Sequence, residues 1–169
     1  MTAARAQCGS NCSLLFTGHS LGAAMATMAA ADLTLEGEES SLFTFGSPRV
    51  GNSEFKSWAQ GRLSTSMRMR RQLDIVPAIP PRGFGFDYEH VAHEIWNKHA
   101  DGEPDSYVMC DGSGEDPNCG DSEETPPFPL DLLHLKPSEH TRYMGYHGGG
   151  CAGGHNNCWR MGRFLPPHY

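Results

Sequence analysis

The pentapeptide Gly18-His19-Ser20-Leu21-Gly22 constrains this chain more than any other feature. It fits G-x-S-x-G and sits between a short apolar run, Ser13 to Thr17, and a stretch from Leu21 to Leu35 dominated by Ala, Met and Leu. Strand, sharp turn and buried helix are the setting in which such a serine becomes a nucleophile, because the turn strains the residue and projects its hydroxyl from the end of a sheet. Gly18 and Gly22 let strand and helix turn sharply. The backbone N–H of Leu21 is then aimed at an incoming oxyanion, and the positive end of the helix adds to that field. A chance pentapeptide in a Gly-rich chain would not need the flanking strand and helix, and both are present. His19 is the variable elbow position and is not read as a base.

The rhythm continues downstream. Residues 41 to 45 repeat the strand signal and end in Gly46. Asn52 reads as the N-cap of a helix from Ser53 to about Gln60, with Phe55, Trp58 and Ala59 on its apolar face. Met67, Met69 and Arg71 alternate with Arg68, Arg70 and Gln72, a weaker third strand that ends at Leu73-Asp74. Strand, helix, strand, helix, strand predicts a parallel sheet with covering helices. The helix after Ser20, apolar nearly all round, is expected to be buried against that sheet. Beyond Pro81 the signals shorten to β-like pieces at His93 to Trp96 and Tyr107 to Met109, an acidic loop, a short strand at Leu130 to Leu135 and a short helix from His140 to Tyr146. With 169 residues, one core is expected.

Charge excludes some functions. Nine of the twenty acidic residues fall between Asp101 and Glu124, a stretch without Lys or Arg, and outside it 13 basic residues face 11 acidic ones. No basic field exists for a phosphate backbone, so nucleic acid is not expected as a partner. The longest apolar stretch, Leu21 to Ala31, is well short of the roughly 20 residues of a transmembrane helix. Six cysteines fall into three local pairs, Cys8/Cys12, Cys110/Cys119 and Cys151/Cys158, each among Gly, Ser and Asn. That pattern predicts disulfides and an oxidising compartment, although six cysteines allow about 15 connectivities. The first residues have no apolar signal-peptide core, so the cysteine pattern and the amino terminus point in different directions.

A serine hydroxyl is a weak nucleophile, so Ser20 needs a base, and the base an acid to fix its tautomer. In elbow-type hydrolases the chain order is serine, acid, histidine. Asp74 closes a strand at the edge where the elbow lies, although a turn-initiating Asp before Ile-Val-Pro fits equally well. For the base, His90, His93, His99, His134, His140, His147, His155 and His168 all follow Asp74, and the residues alone do not choose among them.

Several motifs together resemble one family. F-T-G-H-S-L-G, A-A-D-L and F-G-S-P-R-V-G-N between Leu14 and Asn52, then D-I-V-P-A-I-P-P from Asp74, then F-G-F and, after His90, Glu94 and Trp96 closely resemble the class 3, fungal-type triacylglycerol lipases. The resemblance implies an α/β-hydrolase fold and hydrolysis of lipid esters without a cofactor. It implies that Asp74, opening D-I-V-P, is the triad acid. It also implies that His140, in the H-x-x-Y-x-G context of His140 to Gly145, is the base, whereas His90 matches a common histidine that is not the base. Cys110 to Cys119 looks like a cysteine-stapled surface loop of such lipases. Contact with a lipid interface and secretion of the full-length form follow from the same likeness. Residues 1–146 then read as part of a hydrolase domain and residues 147–169 as a Gly/Cys-rich tail. Family members have further strands, a second oxyanion donor and a lid before the serine, whereas nineteen residues precede Ser20 here. The expectation is therefore the later, carboxyl-terminal portion of such a domain. The other reading is a catalytically incomplete hydrolase fragment that serves as a cysteine-rich binding domain.

Three further patterns are read without function. His147-Gly-Gly-Gly150 resembles an oxyanion motif that belongs before the serine, and is a coincidence in this position. His147, Cys151, His155 and Cys158 have no familiar zinc spacing, so a Cys151/Cys158 disulfide is preferred. Asp111, Ser113 and Glu115 alternate as in a calcium loop but lack its glycine and terminal glutamate, so a solvated loop is expected. No metal site is expected.

Overall fold

A computed structural model describes residues 13–82, 85, 87–98, 106–123 and 135–144, and the backbone of 146–147. The apolar run before the elbow forms β1 (Leu14–His19), and the small-residue stretch after it forms α1 (Leu21–Leu33), closed by a 3-10 turn at Thr34–Glu36 and Gly37. The chain returns through β2 (Ser40–Phe45). A two-residue strand, β3 (Gly51–Asn52), leads into α2 (Ser53–Gln60), whose N-terminus is capped as its sequence predicts: Asn52 Oδ1 accepts from the Phe55 N–H at 2.9 Å. Then come β4 (Thr65–Arg71), β5 (Tyr88–Glu89), β6 (Glu94–Asn97) and β7 (Tyr107–Met109).

The main sheet has the order β1-β2-β4-β6-β7. The first four strands are parallel and β7 is antiparallel to β6. Parallel neighbours need crossovers, which α1 supplies between β1 and β2 and α2 between β2 and β4. The carboxyl ends of β1, β2 and β4 thus share one edge, and Ser20, Gly46 and Asp74 follow them there.

α1 departs from the expected all-round burial. It turns Ala23, Ala24, Ala26, Thr27, Ala30 and Ala31 to the sheet, while Leu21, Met25 and Met28 on its other side are 69, 59 and 48% exposed. Small residues let the helix lie close on the strands, and a helix apolar on both sides gives composition no means of telling which is covered. The expected helix over His140 to Tyr146 is also corrected. A 3-10 turn spans Pro137–Thr141, and β8 (Arg142–Tyr143) and β9 (Tyr146–His147) follow as an antiparallel hairpin. Of the strand expected at Leu130 to Leu135, only Leu135 is described, and it lies outside any strand.

The acidic loop is the third correction. Asp111 and Ser113 are exposed, but Glu115 folds inward and accepts from Arg49 Nε and Nη2, both at 2.9 Å, while Asp116 caps its own loop by accepting from the Asp111 and Asn118 N–H groups. Arg68 donates to Glu94 at 2.6 Å and to the Gly114 carbonyl at 3.0 Å, and Arg82 pairs with Asp121 at 2.7 Å. Arg49, Arg68 and Arg70 are nearly fully buried, and a buried guanidinium needs a counter-charge. Part of the acidic stretch is therefore the partner of buried arginines rather than a solvated loop. The Cys110–Cys119 disulfide staples this segment against Trp96. Cys8, Cys12, Cys151 and Cys158 lie outside the described residues.

Candidate active site

Ser20 joins β1 to α1 with φ 59° and ψ −131°. Positive φ at a residue with a Cβ is strained and persists only where the surroundings hold it. Here the Ser20 N–H donates to the Phe45 carbonyl at 3.1 Å, and its own carbonyl accepts from Ala23 and Ala24, at 2.9 and 3.3 Å. Its hydroxyl makes no capping bond to the helix, which leaves it free for chemistry. Gly18 has a steric reason: a Cβ there would lie 2.3 Å from the Gly22 carbonyl oxygen. Gly22 does not have the same reason, since a Cβ on it would meet nothing within 4 Å among the described residues. Leu21 opens α1, so its N–H belongs to the first turn, where donors have no acceptor within the helix.

The candidate acid and the candidate base meet across 66 residues. Asp74 is fully buried just past the end of β4, following Leu73 at φ 60°. Its Oδ1 accepts from the Val76 N–H at 2.9 Å, and His140 Nδ1 lies 3.0 Å from Oδ2 and 3.1 Å from Oδ1. A carboxylate accepts only, so Nδ1 carries the hydrogen, and the neutral ring then presents Nε2 as an acceptor. That Nε2 is buried and without a hydrogen-bond partner among the described residues. Gly46, at φ 54°, explains how the pair fits: a Cβ there would stand 3.0 Å from Asp74 Oδ2 and from His140 Nδ1 and Cε1. Because Phe45 holds the Ser20 amide and the next residue abuts the His140 ring, serine and imidazole share one end of β2.

Two partners of this pair carried no role in the sequence reading. The Tyr143 hydroxyl donates a short hydrogen bond to Asp74 Oδ2 and accepts from the Arg71 N–H at 3.2 Å. Burial, reinforced by the Asp74 charge, pushes its pKa well above 10, so it remains a donor. The signal was the H-x-x-Y spacing, which places Tyr143 in the strand after the turn that carries His140. Glu139, beside His140, is buried and accepts from Arg71 Nε at 2.7 Å, and the Lys136 N–H donates to the Leu73 carbonyl at 2.7 Å. These bonds fasten the His140 segment to the end of β4.

Among the described residues, His90 and His93 do not reach the pair, whereas His19 does. His90 is 2% exposed, with Nε2 at 2.8 Å from the Pro77 carbonyl. Burial, then the positive charges of Arg68 and Arg49, hold its pKa well below 6.5, which makes it a neutral structural ring bracing the turn after Asp74. His93 is exposed beside Gly112. His99, His134, His155, His168 and the side chain of His147 lie outside the described residues, as do Cys151 and Cys158. Glu115, engaged by Arg49, is not available to a calcium ion. Among the described residues one group of metal-capable side chains comes together, Glu94, Cys110 and Cys119. The two sulfurs are joined to each other and Glu94 accepts from Arg68 and from the Gly120 N–H at 2.9 Å, so no free ligand set remains.

A parallel sheet with a strained serine between strand and helix, and an aspartate–histidine pair at the same sheet end, define an α/β-hydrolase. Residues 3–84 match the family described as lipase (class 3). The lipase of Rhizomucor miehei is 38% identical over 144 residues, covering 80% of this chain and 36% of its own length. A secreted mono- and diacylglycerol lipase of Fusarium solani is 45% identical over 80 residues, 47% of this chain and 23% of its own. Among solved structures, a lipase of Rhizopus microsporus var. chinensis superimposes with a TM-score of 0.73 at 28% identity, over 89% of this chain and 50% of its own. A triacylglycerol lipase whose catalytic centre is described as a serine protease triad gives 0.71 at 29%, over 87% and 53%. The chain belongs to the class 3, fungal-type lipase family, and it spans about a quarter to a third of these curated relatives and about half of the solved chains.

Proposed function

We propose that this chain carries the serine, acid and base of a carboxylic ester hydrolase that acts on lipid esters. Ser20 Oγ attacks the acyl carbonyl while His140 Nε2 takes its proton. The tetrahedral oxyanion is received by the Leu21 N–H at the positive end of α1. His140 returns the proton to the departing alcohol, and water, activated by the same nitrogen, then releases the acid and frees Ser20. Asp74 stays ionised, keeps the hydrogen on Nδ1 and stabilises the imidazolium. The contact of Asp74 with His140 Nδ1 is the observation that carries this reading, because it leaves Nε2 as an acceptor at the sheet end where Ser20 is strained. No step calls on a cofactor.

Acylglycerols are the substrate class, on the strength of relatives named as triacylglycerol and as mono- and diacylglycerol lipases. Among the described residues no helix is long and apolar enough to cross a membrane. Leu21, Met25 and Met28 instead offer an apolar surface beside Ser20, suited to contact with a lipid interface. Secretion of the full-length form agrees with the Cys110–Cys119 disulfide and with relatives named as secreted. The rival reading, a binding domain without turnover, draws on the oxyanion site: among the described residues it has the Leu21 N–H as its donor. A p-nitrophenyl alkylphosphonate distinguishes the two. Stoichiometric release of p-nitrophenol with the label on Ser20 supports the hydrolase; an unlabelled, folded protein supports the binding domain.

A further inference from the structure

His19 is the elbow residue that the chemistry above leaves without a task. Its ring lies against that of His140, with centroids 4.4 Å apart and planes inclined by 31°, and meets the edge of Tyr143 at 5.6 Å. Its Nε2 is 2.7 Å from the backbone carbonyl oxygen of His140, 121 residues away in sequence. A carbonyl can only accept, so His19 Nε2 carries a hydrogen and donates it.

The other bonds described for the His140 segment tie it to the chain at and just beyond the end of β4. Lys136 is bonded to Leu73, Glu139 to Arg71, and Tyr143 to Asp74 and Arg71. They fix the base relative to the acid. None of them fixes the base relative to the nucleophile, which sits two strands away on the end of β1. His19 directly precedes Ser20, and its contact joins the nucleophile's own strand to the backbone of the base.

We propose that His19 is a positioning residue: its Nε2–H, bonded to the His140 carbonyl, and its ring, laid on the His140 ring, set the distance between Ser20 and the His140 imidazole. The proposal rests on the reading of Ser20, His140 and Asp74 as a triad. A donor one residue from the nucleophile is the shortest covalent route by which movement of the base is coupled to the serine. Geometric slack of about 1 Å between reacting groups can cost about 10²-fold in rate.

Three variants separate donor from ring. His19→Gln keeps an N–H at a similar reach, His19→Phe keeps a ring without a donor, and His19→Ala keeps neither. His19 is exposed, so all three are expected to fold, and melting curves check this. In whatever ester hydrolysis the full chain shows, His19→Ala and His19→Phe should lower kcat about 10-fold with KM changed less than about 2-fold, and His19→Gln should recover most of the loss. The same order should appear in the phosphonylation rate of Ser20. An activity-independent reading comes from NMR of 15N-histidine-labelled protein. The His140 Nδ1–H proton, held by Asp74, should exchange with water about 10-fold faster in His19→Ala than in the parent, and at close to the parent rate in His19→Gln. Exchange and phosphonylation rates unchanged in all three variants would overturn the positioning role while leaving the triad intact, and a wild-type His19→Phe would overturn the donor. Exchange that responds to His19 in a protein whose Ser20 never takes the phosphonate would instead sink the triad reading and leave the link standing.

Discussion

The half of the site proposed to hold the acid and base and the half proposed to hold the nucleophile are built in different ways. Asp74 is fully buried and accepts from Val76, Tyr143 and His140, and the His140 segment is fastened through Lys136 and Glu139 to the end of β4. Ser20 follows β1, an edge strand of the described sheet with β2 as its neighbour, whose Leu15 is 66% exposed, and it opens onto α1, whose Leu21, Met25 and Met28 are exposed. One half is held by directional polar bonds among groups withdrawn from water. The other centres on one strained residue held by three backbone hydrogen bonds. Polar clamping ties acid and base together through directional bonds, whereas a strained elbow on an exposed edge depends on whatever covers it.

The largest effect should come from breaking the clamped half at its centre. Asp74→Asn keeps the shape but offers Nδ1 a less suitable partner and the wrong tautomer, and should lower kcat by about 10⁴-fold in an ester assay, with far-UV circular dichroism unchanged. The buried arginines that support this half come next. Arg49→Met strips the buried Glu115 of its bidentate partner and should cost about 3–5 kcal/mol in urea unfolding. Arg49→Met with Glu115→Gln should recover much of that loss; no recovery would mean that the pair does not stabilise the loop.

Acid sharpens the comparison further. The folded-state pKa of His90 lies below its ordinary 6.5, so below that pH the unfolded chain binds a proton that the folded chain refuses. Stability is fully present above about pH 6.5 and falls by about 1.4 kcal/mol per pH unit as the pH drops toward the folded pKa. Glu115 adds a second loss below 4.5. Burial, the largest single influence, would raise its pKa, but the hydrogen bonds from Arg49, the charges of Arg49 and Arg68 and the His90 N–H together outweigh burial and depress it, so its contribution disappears as it becomes protonated in the folded state. Melting temperatures from pH 8 to pH 5 should therefore fall in the parent and stay flatter in a folded His90→Gln variant. On the nucleophile side the smallest change is expected: Met25→Lys and Met28→Lys, both on the exposed side of α1, should each alter stability by less than about 0.5 kcal/mol while reducing aggregation. A loss of several kcal/mol would mean that this side is covered after all.

How far the sequence revealed each half follows from the range of the interactions. The elbow is local: strand, glycine, serine and helix lie within about twenty residues, and the pattern and the strain at Ser20 are one statement made twice. The Asn52 cap was legible for the same reason. The acid–base pair is not local. The H-x-x-Y-x-G context of His140 carries no physical argument for a base by itself, so His140 emerged from the other histidines after Asp74 only through a family likeness, and in the structure its Nδ1 lies against Asp74. Arg49 and Glu115, 66 residues apart, show the cost of reading charge locally, since an acidic run free of Lys and Arg looks solvated until the buried guanidiniums opposite it are known. α1 failed differently: with Ala on one side and Leu and Met on the other, hydropathy had no contrast from which to choose a buried side.

The central claim is that Ser20 is activated by His140, and the rate of Ser20 phosphonylation tests it most directly, because the label needs the base but no turnover. In the parent chain a p-nitrophenyl alkylphosphonate should modify Ser20 alone, as located by peptide mass spectrometry, and His140→Ala should slow that reaction by about 10³-fold or more, with His90→Gln close to the parent. Labelling of Ser20 at the same rate in the parent and in a folded His140→Ala variant would contradict the account.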